Sequence, residues 1–279
     1  MPRIPCLATL LMLPMLLPGL PGATARAQAQ APMQAIEVDA ELVLAVDVSR
    51  SMSPRELEIQ RRGYAEALQS RPVIEAITSG LLGRVAITYI EWAGEGSQRT
   101  IVDWTLVEGR GDAQAIAGRL TARFNRALRR TSISGALTFA ADLFDANGFT
   151  SSRRIIDISG DGPNNMGRPV AQARDAVLAR GITINGLPLT TRGADAGPGR
   201  RFDIDDLESY YRDCVIGGPG AFVMPVRAWD EFPAAVRRKL VMELAAAAAT
   251  PLPVQARPPA DCMIGEKIWE IIRQRWFMR

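Results

Sequence analysis

The sequence predicts an α/β fold in which a doubly wound, mostly parallel sheet of six strands has helices on both faces and one antiparallel edge strand. Short apolar runs rich in β-branched residues, such as 42–46, alternate with helical patterns of apolar residues, which is typical of a parallel sheet. Only about seven residues, 93–99, separate two neighbouring strand patterns, so those strands are expected to pair as an antiparallel hairpin.

The first predicted strand, 42–46, leads into a polar turn and then a helix. Ser53 is the expected N-cap of that helix, Pro54 is its first residue, and Glu56 completes a capping box with Ser53. The apolar residues that follow share one helical face until near Pro72, where the helix is expected to end.

The remaining elements follow the same alternation. Further strands are predicted at 84–92, 100–107, 154–159, 182–189 and 221–226. Further helices are predicted by their ends or ranges: a short one to about Ser79, one that closes at Gly148, one at 169–180 and one around 205–212. Two more are predicted by an apolar face, one with Ile116, Leu120, Phe124 and Leu128 and the other with Phe232, Val236, Leu240 and Leu244.

The first 27 residues have the pattern of a secretory signal peptide. Arg3 supplies the positive start, residues 7–17 the apolar core, and Ala25-Arg26-Ala27 the cleavage site. Residues 28–39 are expected to be a flexible segment. No stretch is long and apolar enough for a transmembrane helix, so the mature protein is expected to be periplasmic or secreted.

The cysteines fit that compartment. Cys6 would leave with the signal peptide, and the mature chain would keep Cys214 and Cys262. An even pair in an oxidising compartment is more often bonded than free, which favours a disulfide worth about 4 kcal/mol in the chain-entropy model. The alternative is two separately buried thiols.

Charge and composition exclude several functions. The net charge is +3, and removal of residues 1–27, with Arg3 and Arg26, leaves +1. The remaining basic groups are spread along the chain, so a nucleic-acid partner is not expected. The sequence contains no histidine, which excludes Ser-His-Asp and Cys-His catalysis and histidine-bearing zinc sites.

Polar side chains stand at three comparable places in the predicted sheet. Asp47, Ser49 and Ser51 follow the first strand, Asp161 follows the fourth, and Thr131 precedes a helix between them. In open α/β sheets the carboxyl ends of the strands form the ligand-binding edge, so these residues are expected to meet there. Small oxygen ligands suit a hard divalent cation. The alternative is that the hydroxyls only cap helices and turns.

At these positions the chain resembles the von Willebrand factor A (vWA) family over residues 40–247. Asp47-Val48-Ser49-Arg50-Ser51-Met52 matches the D-x-S-x-S metal motif of that family, Thr131 stands five residues before Ala136-Leu137 as its metal-site threonine does, and Asp161-Gly162 matches its D-G turn. The resemblance implies a metal-ion-dependent adhesion site (MIDAS) on top of the sheet.

The resemblance also implies a role for each residue. Ser49, Ser51 and Thr131 would be direct ligands of Mg²⁺, or of Mn²⁺ or Ca²⁺, while Asp47 and Asp161 would hold the cation directly or through water. Neutral hydroxyls leave most of the cation's charge in place, so a bound water can be exchanged for a carboxylate. The expected partner is therefore a protein that supplies an Asp or Glu side chain.

The sequence thus predicts an exported, metal-dependent protein-binding module that is not an enzyme. One alternative is a metal-dependent hydrolase, such as a phosphatase, with Asp47 or a serine as nucleophile. Another is a structural protein of the cell envelope with a vestigial metal site. Loops 93–99 and 190–201 are expected to leave the sheet beside the metal and to select the partner.

Two further features depend on packing. Asp157 and Glu91 lie within predicted strands and are expected to form structural ion pairs or hydrogen bonds. Residues 248–279 form a proline-rich linker and an amphipathic helix that is expected to dock on the domain through a Cys262–Cys214 disulfide. A membrane-surface or partner-binding helix is the alternative. The apolar stripe of this C-terminal helix contains Ile264, Ile268, Ile272 and Trp276.

Overall fold

The computed structural model of the protein describes residues 35–122, 127–191, 204–245 and 259–277. The predicted signal peptide and residues 28–34 lie outside the described residues. So do three of the linker prolines, Pro251, Pro253 and Pro258, and residues 192–201 of the predicted loop 190–201.

Strands and helices alternate along the described chain. The strands are β1 (Ile36–Glu37), β2 (Glu41–Asp47), β3 (Val85–Trp92), β4 (Arg99–Val107), β5 (Phe149–Thr150), β6 (Arg154–Gly160) and β7 (Ile182–Pro188). The helices are α1 (Pro54–Gln69), α2 (Arg71–Thr78), α3 (Arg110–Ala122), α4 (Ile133–Asp142), α5 (Val170–Leu178), α6 (Leu207–Tyr210), α7 (Phe232–Leu244) and α8 (Ile264–Phe277), and a π-helical turn, Tyr211–Val215, follows α6.

The main sheet has the predicted mixed topology. Its order is β4-β3-β2-β6-β7, and all of its pairs are parallel except the antiparallel edge pair β3 and β4. All seven residues of β2 are buried between β3 and β6, which explains the continuous apolar run in its sequence. A separate parallel pair, β1 and β5, was not predicted and brings Ile36–Glu37 into a strand.

The sheet has five strands, so the prediction of six was wrong. The segment predicted as the sixth strand does run beside β7: Gly186 donates to the Phe222 carbonyl oxygen (3.0 Å) and accepts from the Met224 N–H (2.9 Å), and Pro188 accepts from the Val226 N–H (2.9 Å). A continuous ladder between this segment and β7 would also need a hydrogen bond donated by the backbone N–H of residue 188. Proline has none, so only isolated bridges form.

The first helix begins as the sequence predicted. The Ser53 hydroxyl accepts from the Glu56 N–H (3.3 Å), and the Glu56 carboxylate accepts from the Ser53 N–H (2.6 Å), which completes the capping box. Helix α3 is described as far as Ala122, and the predicted helix residue Phe124 lies outside the described residues. Leu128 forms an isolated bridge with Ser49, so the prediction that it lies on the helix was wrong. The Leu128 N–H donates to the Val48 carbonyl oxygen instead (2.8 Å), at the end of β2.

Helices cover both faces of the sheet, as predicted. Leu42 and Leu44 of β2 belong to an apolar cluster with α1, α3 and α7, whereas Val43 and Ala45 pack with α4 and α5 on the opposite face. Successive side chains of a strand point to opposite faces, so one strand contributes to both halves of the core. This is the doubly wound arrangement.

The predicted disulfide joins Cys214, in the π-helical turn, to Cys262, with a Cα–Cα distance of 5.4 Å. Helix α8 begins two residues after Cys262 and docks on the domain, where Gly265 is buried. The stripe residues Ile264, Ile268 and Ile272 are half-buried, while the Trp276 side chain lies outside the described part of the structure.

The buried acidic residues Glu91 and Asp157 form the structural ion pairs that the sequence suggested. Glu91 accepts from Arg61 Nε (2.6 Å) and from Arg99 Nη2 (2.6 Å). Lys239 Nζ lies 2.7 Å from Asp157 Oδ1 and also pairs with Glu243. Except for the partly exposed Arg99, these charged groups are buried together, so each stabilises its partner's charged form.

The cluster of Asp157, Lys239 and Glu243 has two carboxylates for one ammonium group. Burial, then the charge of Asp157, raises the pKa of Glu243 to about 7, and burial also raises the pKa of Asp157. The Asn185 amide donates to Glu243 (2.9 Å), and burial raises the pKa of nearby Tyr64 far above its usual value. The cluster therefore retains a proton in mildly acidic solution.

Lys239→Met is expected to destabilise the protein by about 3–5 kcal/mol, because it leaves the carboxylate of Asp157 buried without a countercharge. Urea unfolding near neutral pH measures the change. Lys267→Met is the control: Lys267 pairs with Asp261 but is 62% exposed, so a change within about 0.5 kcal/mol is expected. Equal losses in both variants would contradict the structural role of the cluster.

Glu243→Gln is expected to reduce the pH dependence of stability. The folded pKa of Glu243 exceeds its unfolded value, so protonation contributes stability that is fully present below the unfolded pKa and is lost as pH rises through about 7. Between about pH 5 and pH 8, the wild-type free energy of unfolding should fall by on the order of 2–3 kcal/mol more than that of the variant. Glu75→Gln, at an exposed ion pair of α2, should keep the wild-type slope.

Candidate metal site at the carboxyl edge of the sheet

Asp47 ends the central strand β2 and is fully buried. Its Oδ1 accepts from the Ser49 N–H (2.7 Å), and its backbone carbonyl oxygen accepts from the Gln60 side-chain amide (3.1 Å). Its Oδ2 has no hydrogen-bond partner within the described residues. One oxygen of this buried carboxylate is therefore held in place, while the other, also buried, lacks a hydrogen-bond donor in the described chain.

Two serine hydroxyls connect Asp47 to the second predicted aspartate. The Ser49 and Ser51 hydroxyl oxygens lie 2.9 Å apart, and the Ser51 hydroxyl donates to Asp161 Oδ1 (2.7 Å). Asp161 directly follows β6, the neighbour of β2 in the sheet. The fold thus joins four of the five predicted ligands in one chain of contacts at the predicted edge.

Thr131 lies at the same edge, but it is held by a different partner. Its N–H donates to Asn165 Oδ1 (3.1 Å), and its carbonyl oxygen accepts from the Asn165 N–H (2.9 Å). Within the described residues, no hydrogen bond connects its hydroxyl to the other four predicted ligands. The neighbouring Ser132 N–H donates to the Ala93 carbonyl oxygen after β3 (2.7 Å), so Thr131 stands above the ends of the central strands.

The electrostatics of this edge favour a cation. Burial raises the pKa of Asp47 well above its usual range, and the negative charge of Asp161 raises it further. No Lys or Arg of the described chain forms an ion pair with Asp47. A buried carboxylate beside a second carboxylate is unfavourable without a compensating positive charge.

The donor set fits a hard divalent ion. No group of three or more His, Cys, Asp and Glu side chains in the described ranges is arranged to hold a metal. The edge offers two carboxylates and hydroxyl oxygens instead. Mg²⁺ is commonly held by one or two carboxylates and keeps several waters, so Asp47, Ser49, Ser51 and Asp161 form a suitable set.

Tyr211 lies next to Asp47 and was missed by the sequence predictions. A Cβ added at Gly160 would stand 2.7 Å from the Tyr211 hydroxyl and 3.0 Å from Asp47 Oδ2, so both groups converge over that glycine. Burial, then the charge of Asp47, raises the pKa of Tyr211. No local motif marks this tyrosine, because only the packing of the turn after α6 brings it to the site.

Solved structures share this fold at low sequence identity. Proximal thread matrix protein 1 from the mussel byssus matches 75% of this chain at 15% identity with a TM-score of 0.55, and the match covers 49% of that chain. A structure of the same mussel protein with a zinc-occupied MIDAS motif gives a TM-score of 0.52 at 16% identity, over 75% of this chain and 48% of that one. The pilus adhesin SpaC from Lactobacillus rhamnosus GG gives 0.54 at 14% identity, over 74% of this chain and 30% of that one.

In its sheet order and in the positions of the D-x-S-x-S, threonine and D-G motifs, the chain resembles the vWA family. No curated protein sequence matches the chain. A family model does, and the chain belongs to that family, which is described as "Protein of unknown function (DUF1194)" and matched over residues 37–248. The matched range contains all five predicted metal ligands.

Gly160→Ala is expected to destabilise the metal-free protein by about 1–3 kcal/mol, because the new methyl group would overlap the buried Tyr211 hydroxyl and Asp47 carboxylate. Unfolding by urea in the presence of a chelator measures the change. Gly162→Ala, on the other side of Asp161, has no atom within 4 Å of the added Cβ and should change stability by less than about 0.5 kcal/mol. Similar losses in the two variants would contradict this geometry.

Proposed function

We propose that this protein is an exported, metal-dependent protein-binding module that is not an enzyme. A divalent cation, Mg²⁺ or alternatively Mn²⁺ or Ca²⁺, would bind at the sheet edge and take up an acidic side chain of a partner protein. The observation that carries the proposal is the fully buried Asp47 carboxylate, which contacts the Ser49 backbone and lies near Asp161 but has no ion-pair partner in the described chain. The ligands would be Asp47, Ser49, Ser51, Thr131 and Asp161.

Each residue of the site has a defined part. Asp47 is fixed by the end of β2 and by the Ser49 N–H, so its carboxyl group is positioned before any ligand binds. Ser49 and Ser51 supply neutral oxygens 2.9 Å apart, and Asp161 supplies the second charge. A bound cation would supply a positive charge that neutral ligands leave largely unquenched for a partner carboxylate.

Exposed arginines support an anionic partner. Ser49 and Leu128 form a parallel β-bridge. The residues that follow them, Arg50 and Arg129, are therefore neighbours across the two segments. Both side chains are exposed, and neither forms an ion pair within the described residues. Positive charge beside a cation site attracts carboxylates and repels cationic partners.

Export is proposed on two observations. The first 27 residues have the signal-peptide pattern, and Cys214 and Cys262 form a disulfide, which persists in oxidising compartments. The proposed location is the periplasm or the extracellular space. Within the described ranges, no helix has the length and apolar character needed to cross a bilayer.

The alternatives have their own signatures. A phosphatase that used Asp47 as nucleophile would need substrate access to a carboxylate that is fully buried, which argues against it. A structural envelope protein with a vestigial site would bind no cation. The zinc-occupied MIDAS of the mussel protein and the adhesin role of SpaC, both on similar folds, support the binding function.

Calorimetric titration of the chelator-stripped mature protein with Mg²⁺, Mn²⁺ and Ca²⁺ tests the proposal. We expect saturable binding by the wild type, weakened at least about tenfold by Ser49→Ala and by Asp161→Ala because each removes an oxygen ligand. Ser70→Ala is the matched control, because Ser70 lies at the other end of α1 and its hydroxyl donates to the Ala67 carbonyl oxygen. It should leave the affinity unchanged.

Two outcomes would contradict the proposal. A folded wild type that binds none of the three cations would indicate a vestigial site. Turnover of p-nitrophenyl phosphate that depends on Asp47 would indicate a hydrolase.

A further inference from the structure

Helix α8 contacts the loop that contains Thr131. The Arg130 guanidinium carbon lies 3.3 Å from the centroid of the Trp269 ring, so the arginine stacks on this residue of α8. Arg130 has a φ of 75°, a left-handed conformation that residues other than glycine rarely adopt. Trp269 therefore contacts a strained residue that directly precedes a proposed metal ligand.

The same helix contacts the loop that follows Asp161. Asn164, three residues after Asp161, is fully buried, and its amide donates to Glu266 Oε1 of α8 (2.7 Å). Its Oδ1 accepts from the Ser134 N–H at the start of α4 (3.0 Å), and its own N–H donates to the Tyr210 hydroxyl (3.1 Å). Glu266 thus completes the hydrogen bonding of the residue that fixes this loop.

The start of α8 is anchored next to these contacts. Gly265 packs so closely on the Asn164 carbonyl group that an added Cβ would collide with it. Cys262 is bonded to Cys214, which lies in the same short π-helical turn as Tyr211, the neighbour of Asp47. Four contacts, three from α8 and the disulfide just before it, therefore connect this C-terminal segment to the residues around the metal site.

We propose that α8 positions the Thr131 and Asp161 loops for cation binding. Trp269 and Glu266 act as positioning residues through Arg130 and Asn164, and the Cys214–Cys262 disulfide anchors the helix. The proposal rests on the proposed function of the site. Its physical basis is preorganisation, because loops that folding has already ordered do not have to be ordered when the cation binds.

Titration of the mature protein with Mg²⁺ tests this role. Trp269→Ala and Glu266→Ala are expected to weaken Mg²⁺ binding about tenfold or more, within the range seen when groups that orient metal ligands are removed. Trp269→Phe keeps an aromatic face for Arg130, and Glu266→Gln keeps an acceptor for Asn164, so both should retain most of the affinity. Ile271→Ala is the matched control, because this α8 residue is 51% exposed.

A purely structural role gives a different result. The thermal midpoint in chelator would then fall in the alanine variants while the affinity for Mg²⁺ stayed unchanged, and this result would overturn the proposal. The double variant Cys214→Ser/Cys262→Ser provides a second test and should also bind Mg²⁺ more weakly than the wild type. If the wild type binds Mg²⁺ and the two alanine variants and the double cysteine variant bind it with the same affinity, the role of α8 is rejected while the metal site stands. Absence of binding by the wild type would overturn both.

Discussion

The structure depends on a carboxylate placed at the end of a fully buried central strand. Every residue of β2 is buried between β3 and β6, so Asp47 leaves the sheet where bulk water cannot solvate it. Its charge must be compensated by groups that the fold brings to that edge. The Ser49 N–H contacts one oxygen, and the serine hydroxyls extend the contacts to Asp161 from a different part of the chain. The contacts of this edge are thus centred on one buried carboxylate.

Comparison of Asp47 with Asp157 shows why the edge is a candidate site and not only a buried polar cluster. Both carboxylates lie on central strands and both are fully buried. Asp157 is paired with Lys239, whose ammonium group is shared with Glu243, so the chain itself supplies the positive charge. Asp47 has no such partner in the described structure and faces a second carboxylate. The first arrangement stabilises the fold, whereas the second is suited to an external cation.

The C-terminal helix α8 lies outside the part of the chain that the family model matches. That match ends at residue 248, and α8 begins at Ile264. The helix nevertheless contacts both loops that flank the proposed ligands, through Trp269 and Glu266. The likeness to the mussel matrix protein and the pilus adhesin concerns the fold alone, at 14% to 16% identity. The chemistry of this edge is therefore argued from the residues of this chain.

Features that depend only on neighbours along the chain could be predicted from local sequence. The apolar run of β2, the capping box at Ser53 and the cluster Asp47, Ser49 and Ser51 are local patterns. The two cysteines that follow the predicted signal peptide were enough to suggest the disulfide. Tertiary structure decided the rest. The missing N–H of Pro188 interrupts the sixth strand, and Leu128 leaves its helical pattern because its N–H bonds to the end of β2. The choice of Lys239 for Asp157, the place of Tyr211 and the contacts of α8 join residues far apart in the chain, and no local periodicity encodes such pairings.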